Sequence, residues 1–203
     1  MSPIEKLSEH FSRFPGIGTR QARRFVYFLL SSNEDFIREL VELIESLRKD
    51  FAQCELCFRF LNGKAKLCAI CINTERDRKT LMVVEKDIDL ENVEKSGTYK
   101  GRYFVLGGIL PLLSGKKDSA PRLKDCAVAV SKQAHTGELK EVILALSAHP
   151  EGEHTMLELQ KILKPITEKN SLKVTTLGRG LSTGTELEYS DGETIRNALQ
   201  NRR

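Results

Sequence analysis

Long apolar runs are missing from this sequence. No stretch approaches the roughly 18 consecutive apolar residues that a membrane-spanning helix needs. The N-terminus also lacks the basic-then-apolar layout of a signal peptide. These absences predict a cytoplasmic protein with no membrane partner, in a reducing compartment where thiols stay reduced.

A large excess of one charge is also missing. The formal net charge of +4 is mildly basic, which permits nucleic-acid binding without demonstrating it. Apolar residues make up 40% and charged residues 30% of the chain, so a soluble globular protein with a buried core is expected. A length of 203 residues allows one medium domain or two small ones.

Several catalytic signatures are absent. No G-x-x-x-x-G-K-[ST] motif occurs, so a nucleotide-binding P-loop is not supported. The four histidines have no metal-ligand spacing, and no Ser or Cys is arranged with His and Asp as a nucleophilic triad. Three glycines between Gly178 and Gly184 could cradle a phosphate, but a structural loop before a C-terminal helix at about 192–201 is favoured.

Four of the five cysteines form two Cys-x-x-Cys pairs separated by ten residues: Cys54, Cys57, Cys68 and Cys71. Each pair can close a tight knuckle around a metal, and four thiolates are the tetrahedral set of structural Zn²⁺. Two disulfides or four unconnected thiols are the alternatives. Asn62-Gly63 suits the positive-φ turn of a hairpin. The pattern predicts a zinc ribbon with one structural ion, no open coordination position and no chemistry.

The chain up to about residue 52 is predicted to be helical. One helix runs from Arg20 to Leu30, and a second from about Asn33, its predicted cap, to Asp50. The apolar face of the first helix consists of Ala22, Phe25, Val26, Leu29 and Leu30. The predicted buried stripe of the second consists of Phe36, Ile37, Leu40, Ile44 and Leu47.

After about residue 77, short apolar runs alternate with helical patterns. Continuous apolar runs suit strands that are buried on both faces of a parallel sheet. Such strands are predicted at 81–84, 103–106, 142–146 and 174–177. Helices are predicted near 88–96, 120–134 and 154–168, with a loop at 107–120. This alternation predicts an α/β domain with a four-stranded, mainly parallel sheet, in which Cys126 is a small core residue.

Two glycines flanking an apolar residue, within Phe14-Pro15-Gly16-Ile17-Gly18, predict a tight hairpin before the first good helix. Backbone N–H groups at the helix start then point outward toward an anion. This helix-hairpin-helix pattern grips nucleic-acid phosphate without reading bases. Arg23 adds charge beside it, although a plain glycine-rich helix start with a solvated basic face is the alternative. The predicted DNA contacts are Gly16, Ile17, Gly18, Thr19, Arg20 and Arg24.

Carboxylates follow two of the predicted strands. Glu85 comes directly after an apolar strand, where open α/β sheets place their ligand sites. Glu151 and Glu153 follow the third strand. If the three converge, they could hold Mg²⁺ and form a phosphoryl-transfer site. The alternative is that Glu151 and Glu153 only stabilise a helix N-terminus.

The order of these motifs is more specific than any one of them. A helix-hairpin-helix, a four-cysteine zinc site and an α/β domain with Val-Val-Glu and Glu-Gly-Glu resemble the bacterial RecR family of recombination mediators over essentially the whole chain. The α/β domain then resembles the Toprim fold of topoisomerases and primases. Further matching segments are Arg76-Asp77-Arg78, Gly97-x-Tyr99-x-Gly101, Glu151-Gly152-Glu153-x-Thr155 and Arg179-Gly180-Leu181.

The resemblance implies a non-catalytic protein that forms ring-shaped tetramers able to encircle DNA. Such proteins act with RecO, and in many bacteria RecF, to load the recombinase on single strands coated by single-strand-binding protein. In the family, basic residues after the hairpin contact DNA, and these correspond to Arg20 and Arg24. In the family, acidic residues of the Toprim domain are implicated in binding RecO. The matching residues here are Glu85, Glu151 and Glu153. The zinc is structural, and Mg²⁺ is not expected to be required.

The resemblance also suggests a division of the chain into four parts. They are a helix-hairpin-helix region at 1–52, a zinc finger at 53–77, a Toprim-like domain at 78–178 and a C-terminal loop and helix at 179–203. The last part is expected to pack against a neighbouring subunit.

The chain departs from the family pattern at several positions. Thr19 and Arg20 stand where Pro and Lys are frequent, and Thr19 is an acceptable helix cap. Phe104 and Ser147 stand where His and Asn are common, and 109–135 matches weakly. These departures affect local loop geometry and partner choice and leave the fold unchanged.

The sequence leaves two other functions open: a Mg²⁺-dependent Toprim nuclease or primase that uses Glu85, Glu151 and Glu153, and a zinc-ribbon adaptor that does not touch DNA. Replacement of the usual paired aspartates by Glu-Gly-Glu argues against the enzyme.

Overall fold

The computed structural model describes residues 1–112 and 121–202, and the chain divides into two compact units, Met1–Phe51 and Ala52–Arg203. The predicted loop at 107–120 therefore lies partly outside the described residues. Within the described residues, no helix combines the length and the apolar character needed to cross a bilayer.

The first unit contains three helices: α1 (Pro3–Phe11), α2 (Thr19–Ser31) and α3 (Glu34–Asp50). A capping box starts α1, because the Glu5 N–H donates to Ser2 Oγ and the Ser2 N–H donates to Glu5 Oε2. Asn33 caps α3 as predicted, accepting the Phe36 N–H at 2.8 Å. Helix α1 packs on α2, which buries its small apolar residues against α1.

The predicted buried stripe of α3 is wrong in part. Phe36, Ile44 and Leu47 are 40%, 57% and 55% exposed, and Leu30 of α2 is 65% exposed. Only Ile37 and Leu40 of the α3 stripe are half-buried. Helical periodicity identifies an apolar face but does not say what covers it, and three short helices offer too little second layer to cover every face.

A small two-stranded sheet of β1 (Phe51–Gln53) and β2 (Phe60–Asn62) starts at the boundary of the two units and is followed by the short helix α4 (Ala69–Ile72). The main sheet has four parallel strands in the order β4-β3-β5-β6. Their bounds are β3 Thr80–Val84, β4 Arg102–Val105, β5 Glu141–Ala145 and β6 Lys173–Thr176. All four strands lie within a residue or two of the predicted runs.

Helices cover both faces of this sheet, which explains the continuous apolar runs of its strands. They are α5 (Asp87–Ser96), α6 (Leu123–His135) and α7 (Pro150–Asn170). The C-terminal α8 (Gly192–Gln200) follows a 3₁₀ turn at Leu187–Tyr189 and contributes no residue to either buried cluster of the described residues. Alternate strand residues face α6 and α7 on one side, and α5 with the cysteine ribbon on the other. Cys126 lies in the first of these cores as predicted, and burial raises its pKa to about 12.

Candidate functional site

The four paired cysteines converge in space. The sulfur atoms of Cys54, Cys57, Cys68 and Cys71 all lie within 4.8 Å of one another. The Sγ atoms of Cys57 and Cys68 are 3.6 Å apart, close to the roughly 3.8 Å expected for tetrahedral thiolates about 2.3 Å from a shared Zn²⁺. None of the four is joined by a disulfide. The structure therefore favours the metal site over the disulfides: the four cysteines are free and are positioned to bind a metal ion.

Each of these thiols alters the ionisation of its neighbours. Hydrogen bonding between the two sulfurs raises the pKa of Cys57 and lowers the pKa of Cys68. Four adjacent buried thiolates repel one another, so all four can be deprotonated only with a cation among them. The Cys68 N–H also points at Cys54 Sγ, 3.4 Å away, which supports negative charge on that sulfur.

A tight backbone turn holds the first pair of cysteines in place. The first knuckle closes through a hydrogen bond from the Phe58 N–H to the Cys54 carbonyl, with Phe58 itself at a φ of 63°. This left-handed conformation is unusual for a bulky residue. The Phe58 ring offsets its cost by packing 5.3 Å from the Phe104 ring and under the Arg122 guanidinium. Gly63 has a positive φ, as predicted, with a value of 84°. It does not form the turn between β1 and β2, because the first cysteine knuckle joins these strands and Gly63 follows β2.

Hydrogen bonds fix the ribbon to the parallel sheet and to α5. The Val105 N–H, at the end of β4, donates to the Cys57 carbonyl at 2.8 Å. The Phe60 N–H donates to Asp87 Oδ1 at 2.7 Å. Three of the ligand cysteines share one buried cluster with the apolar residues Met82, Val84 and Val105 of the sheet. The cysteine cluster is thus part of the core of the second unit.

The glycine hairpin forms as predicted between α1 and α2. Gly16 has a φ of 76°, which a residue without a side chain adopts at no cost, and the Ile17 N–H closes the turn on the Phe14 carbonyl at 3.0 Å. Gly18, rather than Thr19, is the N-cap of α2, and no side chain caps the helix. The first N–H groups of α2 are therefore available to an anion.

Basic residues surround this helix start. Arg20, Arg23 and Arg24 are exposed, and α2 has no acidic residue in its first turn. Arg24 donates to Gln21 Oε1 at 3.3 Å, which holds it along the helix. The described structure pairs none of the three arginines with a carboxylate. The hairpin thus exposes several backbone N–H donors next to three positively charged side chains.

Glu85 lies at the carboxyl end of β3, where its side chain is almost completely buried. Ser147 Oγ donates to Glu85 Oε2 at 2.5 Å, and Lys86 Nζ lies 2.6 Å from Glu85 Oε1. Burial opposes ionisation of Glu85, but the hydrogen bonds from Lys86 and Ser147 outweigh it and lower the pKa of the carboxyl. Ser147 thus supports a charged Glu85.

The Glu-Gly-Glu segment opens α7. A methyl group at Gly152 would collide with the carbonyl oxygen of Ser147, so the helix start can reach the loop after β5 only with glycine there. Thr155 is fully buried, donates to the Glu151 carbonyl at 2.7 Å and accepts the Leu110 N–H at 2.8 Å. These two residues of the motif have packing roles that spacing alone did not reveal.

Glu153 is tied to the C-terminal segment. Arg179 Nη1 lies 2.5 Å from Glu153 Oε1, and Asn201 Nδ2 donates to the Arg179 carbonyl at 2.8 Å. Within the described residues, the four cysteines are the one cluster of three or more potential metal ligands. Glu85, Glu151 and Glu153 are thus at one edge of the sheet, but their carboxylates are not brought together.

A network that sequence reasoning missed lies at the other end of the sheet. Arg76 binds both carboxylate oxygens of Glu94, at 3.1 and 2.7 Å, and donates to the Gly101 carbonyl. Tyr103 donates to Glu94 at 2.7 Å. The segments around Arg76 and Gly101 both carry the family resemblance, but nothing in their spacing predicts that a carboxylate on α5 joins them.

Family models match three parts of this chain. A Toprim domain matches residues 79–177, the RecR helix-hairpin-helix matches 4–49, and the RecR C-terminal region matches 180–203. The expected fold is therefore confirmed: a helix-hairpin-helix, a cysteine cluster for a metal and a Toprim domain on a four-stranded parallel sheet.

Similar proteins cover the chain almost completely. The chain is 35% identical to the recombination protein RecR of Carboxydothermus hydrogenoformans, over 99% of this chain and 96% of the relative. It is 35% identical to that of Chloroherpeton thalassium and 36% identical to one from Prochlorococcus marinus, each over 98% of this chain and 95% of the relative. The chain belongs to the RecR family of recombination proteins.

Proposed function

We propose that this chain is a zinc-containing, DNA-binding subunit of a tetrameric ring that acts in recombinational repair without catalysing a reaction. With a RecO-like protein, and in some settings a RecF-like protein, it would load the recombinase on single-stranded DNA coated by single-strand-binding protein. Its place in the RecR family supports the role in recombination.

The observation that carries this proposal is the exposed hairpin. Gly16 and Gly18 leave the backbone uncovered, Gly18 caps α2 without a side chain, and Arg20 and Arg24 flank the free N–H groups. Donors and charge of this kind bind phosphates without regard to base sequence. Ile17 is half-buried and holds the turn, whereas Thr19 is exposed as the first helical residue.

The metal proposed for the cysteine cluster is Zn²⁺, one ion per chain. An all-thiolate set is typical of structural zinc and is poorly suited to Mg²⁺, which prefers oxygen. Zinc held by four cysteines has no open position for substrate or water. The ion would therefore stabilise the ribbon and its contact with the sheet.

A partner-binding role is proposed for Glu85, Glu151 and Glu153. Glu85 and Glu153 already have cationic partners in Lys86 and Arg179, which favours a structural or binding role over metal catalysis. Glu151 is half-buried, and in the described part of the chain it makes no ion pair. A basic surface on a RecO-like protein would contact Glu151 first and would compete with Lys86 and Arg179 for the other two carboxylates.

Assembly into a ring is supported by apolar side chains that the single chain leaves exposed. Leu43, Ile44 and Leu47 of α3 are all more than half exposed. In the C-terminal part, Leu187 and Tyr189 are 62% and 79% exposed. Apolar surface of this kind is typical of obligate subunit interfaces.

Light scattering with and without DNA, at two salt concentrations, tests the proposal. We expect a mass of about four times 22.9 kDa and DNA binding that weakens with salt. The double variant Arg20→Ala and Arg24→Ala should flatten the slope of log affinity against log salt by roughly two, at about 0.9 per lost phosphate contact. Arg38→Ala with Lys161→Ala removes the same charge elsewhere and should not.

Two results would overturn the proposal. A monomer that does not bind DNA would favour the zinc-ribbon adaptor. Cleavage or synthesis of DNA in Mg²⁺ or Mn²⁺ that is abolished by Glu85→Gln would establish the Toprim enzyme instead.

A further inference from the structure

The amino ends of three neighbouring strands carry a row of lysines, at the opposite end of the sheet from Glu85. Lys79 directly precedes β3, Lys140 directly precedes β5, and Lys173 is the first residue of β6. Main-chain hydrogen bonds connect them: the Lys140 N–H donates to the Lys79 carbonyl at 2.8 Å, and the Lys173 N–H to the Lys140 carbonyl at 2.9 Å. The sheet order fixes this row, which the sequence does not reveal.

The spacing of the row suits a nucleic-acid backbone. Strands β3, β5 and β6 are consecutive in the sheet, and adjacent strands are about 4.8 Å apart. The row therefore spans about 10 Å, roughly three successive steps of 3.4 Å between nucleotides along one strand of B-DNA.

The charges of these lysines are not neutralised. All three are exposed, and within the described residues none of their ammonium groups lies within 4.0 Å of a carboxylate. The nearby Glu138 pairs with Arg78, 3.4 Å away, and Glu141 accepts a hydrogen bond from Thr175. Asp77, two residues from Lys79, accepts hydrogen bonds from the Lys79 N–H and the Thr80 hydroxyl. These acids are close to the row, but they have partners other than its three ammonium groups.

A surface cavity of about 490 Å³ lies beside the row. Its charged lining residues are Arg76, Asp77, Arg78, Lys79, Glu138 and Lys140. The other lining residues, Thr74 and Gly137, add no large apolar group. The core of a protein–protein interface is enriched in aromatic and other apolar residues, whereas a phosphate backbone needs cations and polar donors. The composition of this surface therefore favours nucleic acid over a protein partner.

Helix dipoles do not account for the row. Basic residues in the last turn of a helix stabilise its negative end, and Lys132 and Lys169 are placed in that way. Lys79, Lys140 and Lys173 instead belong to the starts of strands, and strand dipoles in a sheet nearly cancel.

We propose that Lys79, Lys140 and Lys173 form a second phosphate-binding surface, which contacts the backbone of DNA without regard to sequence. It rests on the proposed DNA binding but is separate from the hairpin, since it belongs to the Toprim sheet. Arg78 borders this surface. Its ion pair with Glu138 is exposed, so a DNA phosphate can displace Glu138 and bind Arg78 as a fourth cation.

The test compares two triple variants of the full-length protein. One is Lys79→Ala, Lys140→Ala and Lys173→Ala; the control is Lys124→Ala, Lys161→Ala and Lys164→Ala, which changes the net charge equally on exposed helix positions. Binding of a fluorescent duplex and of a single strand is measured between 50 and 200 mM salt. We expect the slope of log affinity against log salt to flatten by roughly two to three in the first variant, at about 0.9 per phosphate, and to stay unchanged in the control.

The outcomes separate this surface from the hairpin. If the wild type binds and Arg20→Ala with Arg24→Ala weakens it, but the lysine variant behaves like the control, the inference is wrong and the proposed function stands. If the wild type binds no DNA, both fail. Circular dichroism checks folding, and should the alanine variant misfold, the same lysines are changed to Gln.

Discussion

A hydrogen atom in place of a side chain at Gly152 allows α7 to start against the backbone of Ser147. The contact brings the carboxylates of the Glu-Gly-Glu motif to the same sheet edge as Glu85. Gly178 lies near the end of β6 without such a restriction, because a methyl group there meets nothing within 4 Å. Gly152 is therefore required by packing, whereas the surroundings of Gly178 leave room for a side chain.

Gly152→Ala should lower the free energy of unfolding by about 1–3 kcal/mol, because the backbone oxygen of Ser147 cannot move aside easily. Gly178→Ala is the control and should change it by less than about 0.5 kcal/mol. Urea denaturation measures both. Equal midpoints for the two variants would contradict the packing role.

Glu85 makes stability depend on pH. Its folded-state pKa lies below the ordinary glutamate value of 4.5, so the stability it adds is present above that value and is lost as pH falls through the folded pKa. Glu85→Gln should therefore be less stable than the wild type at pH 7, and the difference should shrink below about pH 4.5.

Urea midpoints at pH 7 and pH 3.5 measure this effect. Glu91→Gln, at an exposed position of α5, controls for loss of a negative charge and should show no such change. A difference between Glu85→Gln and the wild type that is the same at both pH values would show that the ion pair with Lys86 does not contribute.

At the level of elements, the sequence predicted the four strands, the cysteine cluster and the hairpin well, because each has a strong local signal. Continuous apolar runs identify buried parallel strands, and paired cysteines identify a metal knuckle. The division of the ribbon at 53–77 from the Toprim domain stays a prediction. Long-range contacts were beyond reach: neither the Arg76–Glu94 pair nor the Thr155–Leu110 hydrogen bond follows from periodicity.

The cysteine ribbon should depend on its metal. Cys54→Ser should bind less than one Zn²⁺ per chain and melt at a lower temperature, because metal binding and folding are coupled. The loss of stability should extend into the parallel sheet, since the Val105 N–H of β4 donates to the Cys57 carbonyl. Metal analysis, thermal melting and hydrogen exchange at Val105 measure the three effects.

Cys126→Ala is the control for this experiment. Cys126 is buried in the core on the other face of the sheet, so its loss should reduce stability without changing the zinc content. A Cys54→Ser protein with a full zinc complement, or with unchanged exchange at Val105, would contradict the assignment of the cluster.

At the scale of the whole molecule, the exposed stripe of α3 is the apolar surface that we propose another subunit covers. A single chain leaves Ile44 and Leu47 more than half exposed. Burial of the exposed half of each such side chain against another copy would contribute about 1–1.5 kcal/mol. The apolar face that periodicity identified is thus correct as a pattern, and its covering is proposed to come from another subunit.

Ile44→Glu with Leu47→Glu should lower the mass in light scattering from that of the proposed tetramer to that of a smaller species, because two buried charges at an apolar interface are costly. Glu45→Gln, on the polar side of the same helix, should leave the mass unchanged. A double variant that keeps the wild-type mass would place the subunit interface elsewhere.

The placement of the cysteine ribbon also bears on the order of folding. Its ligands lie close together in the chain, so the ribbon closes with little loss of loop entropy. The sheet folds more slowly, because neighbouring strands β3 and β5 pair Thr80 with Glu141 across a long stretch of chain. The ribbon also leaves the ribosome first, and its metal-bound form presents the Cys57 carbonyl to β4 as a template. Zinc available during synthesis, more than zinc supplied afterwards, should therefore set the yield of folded chains.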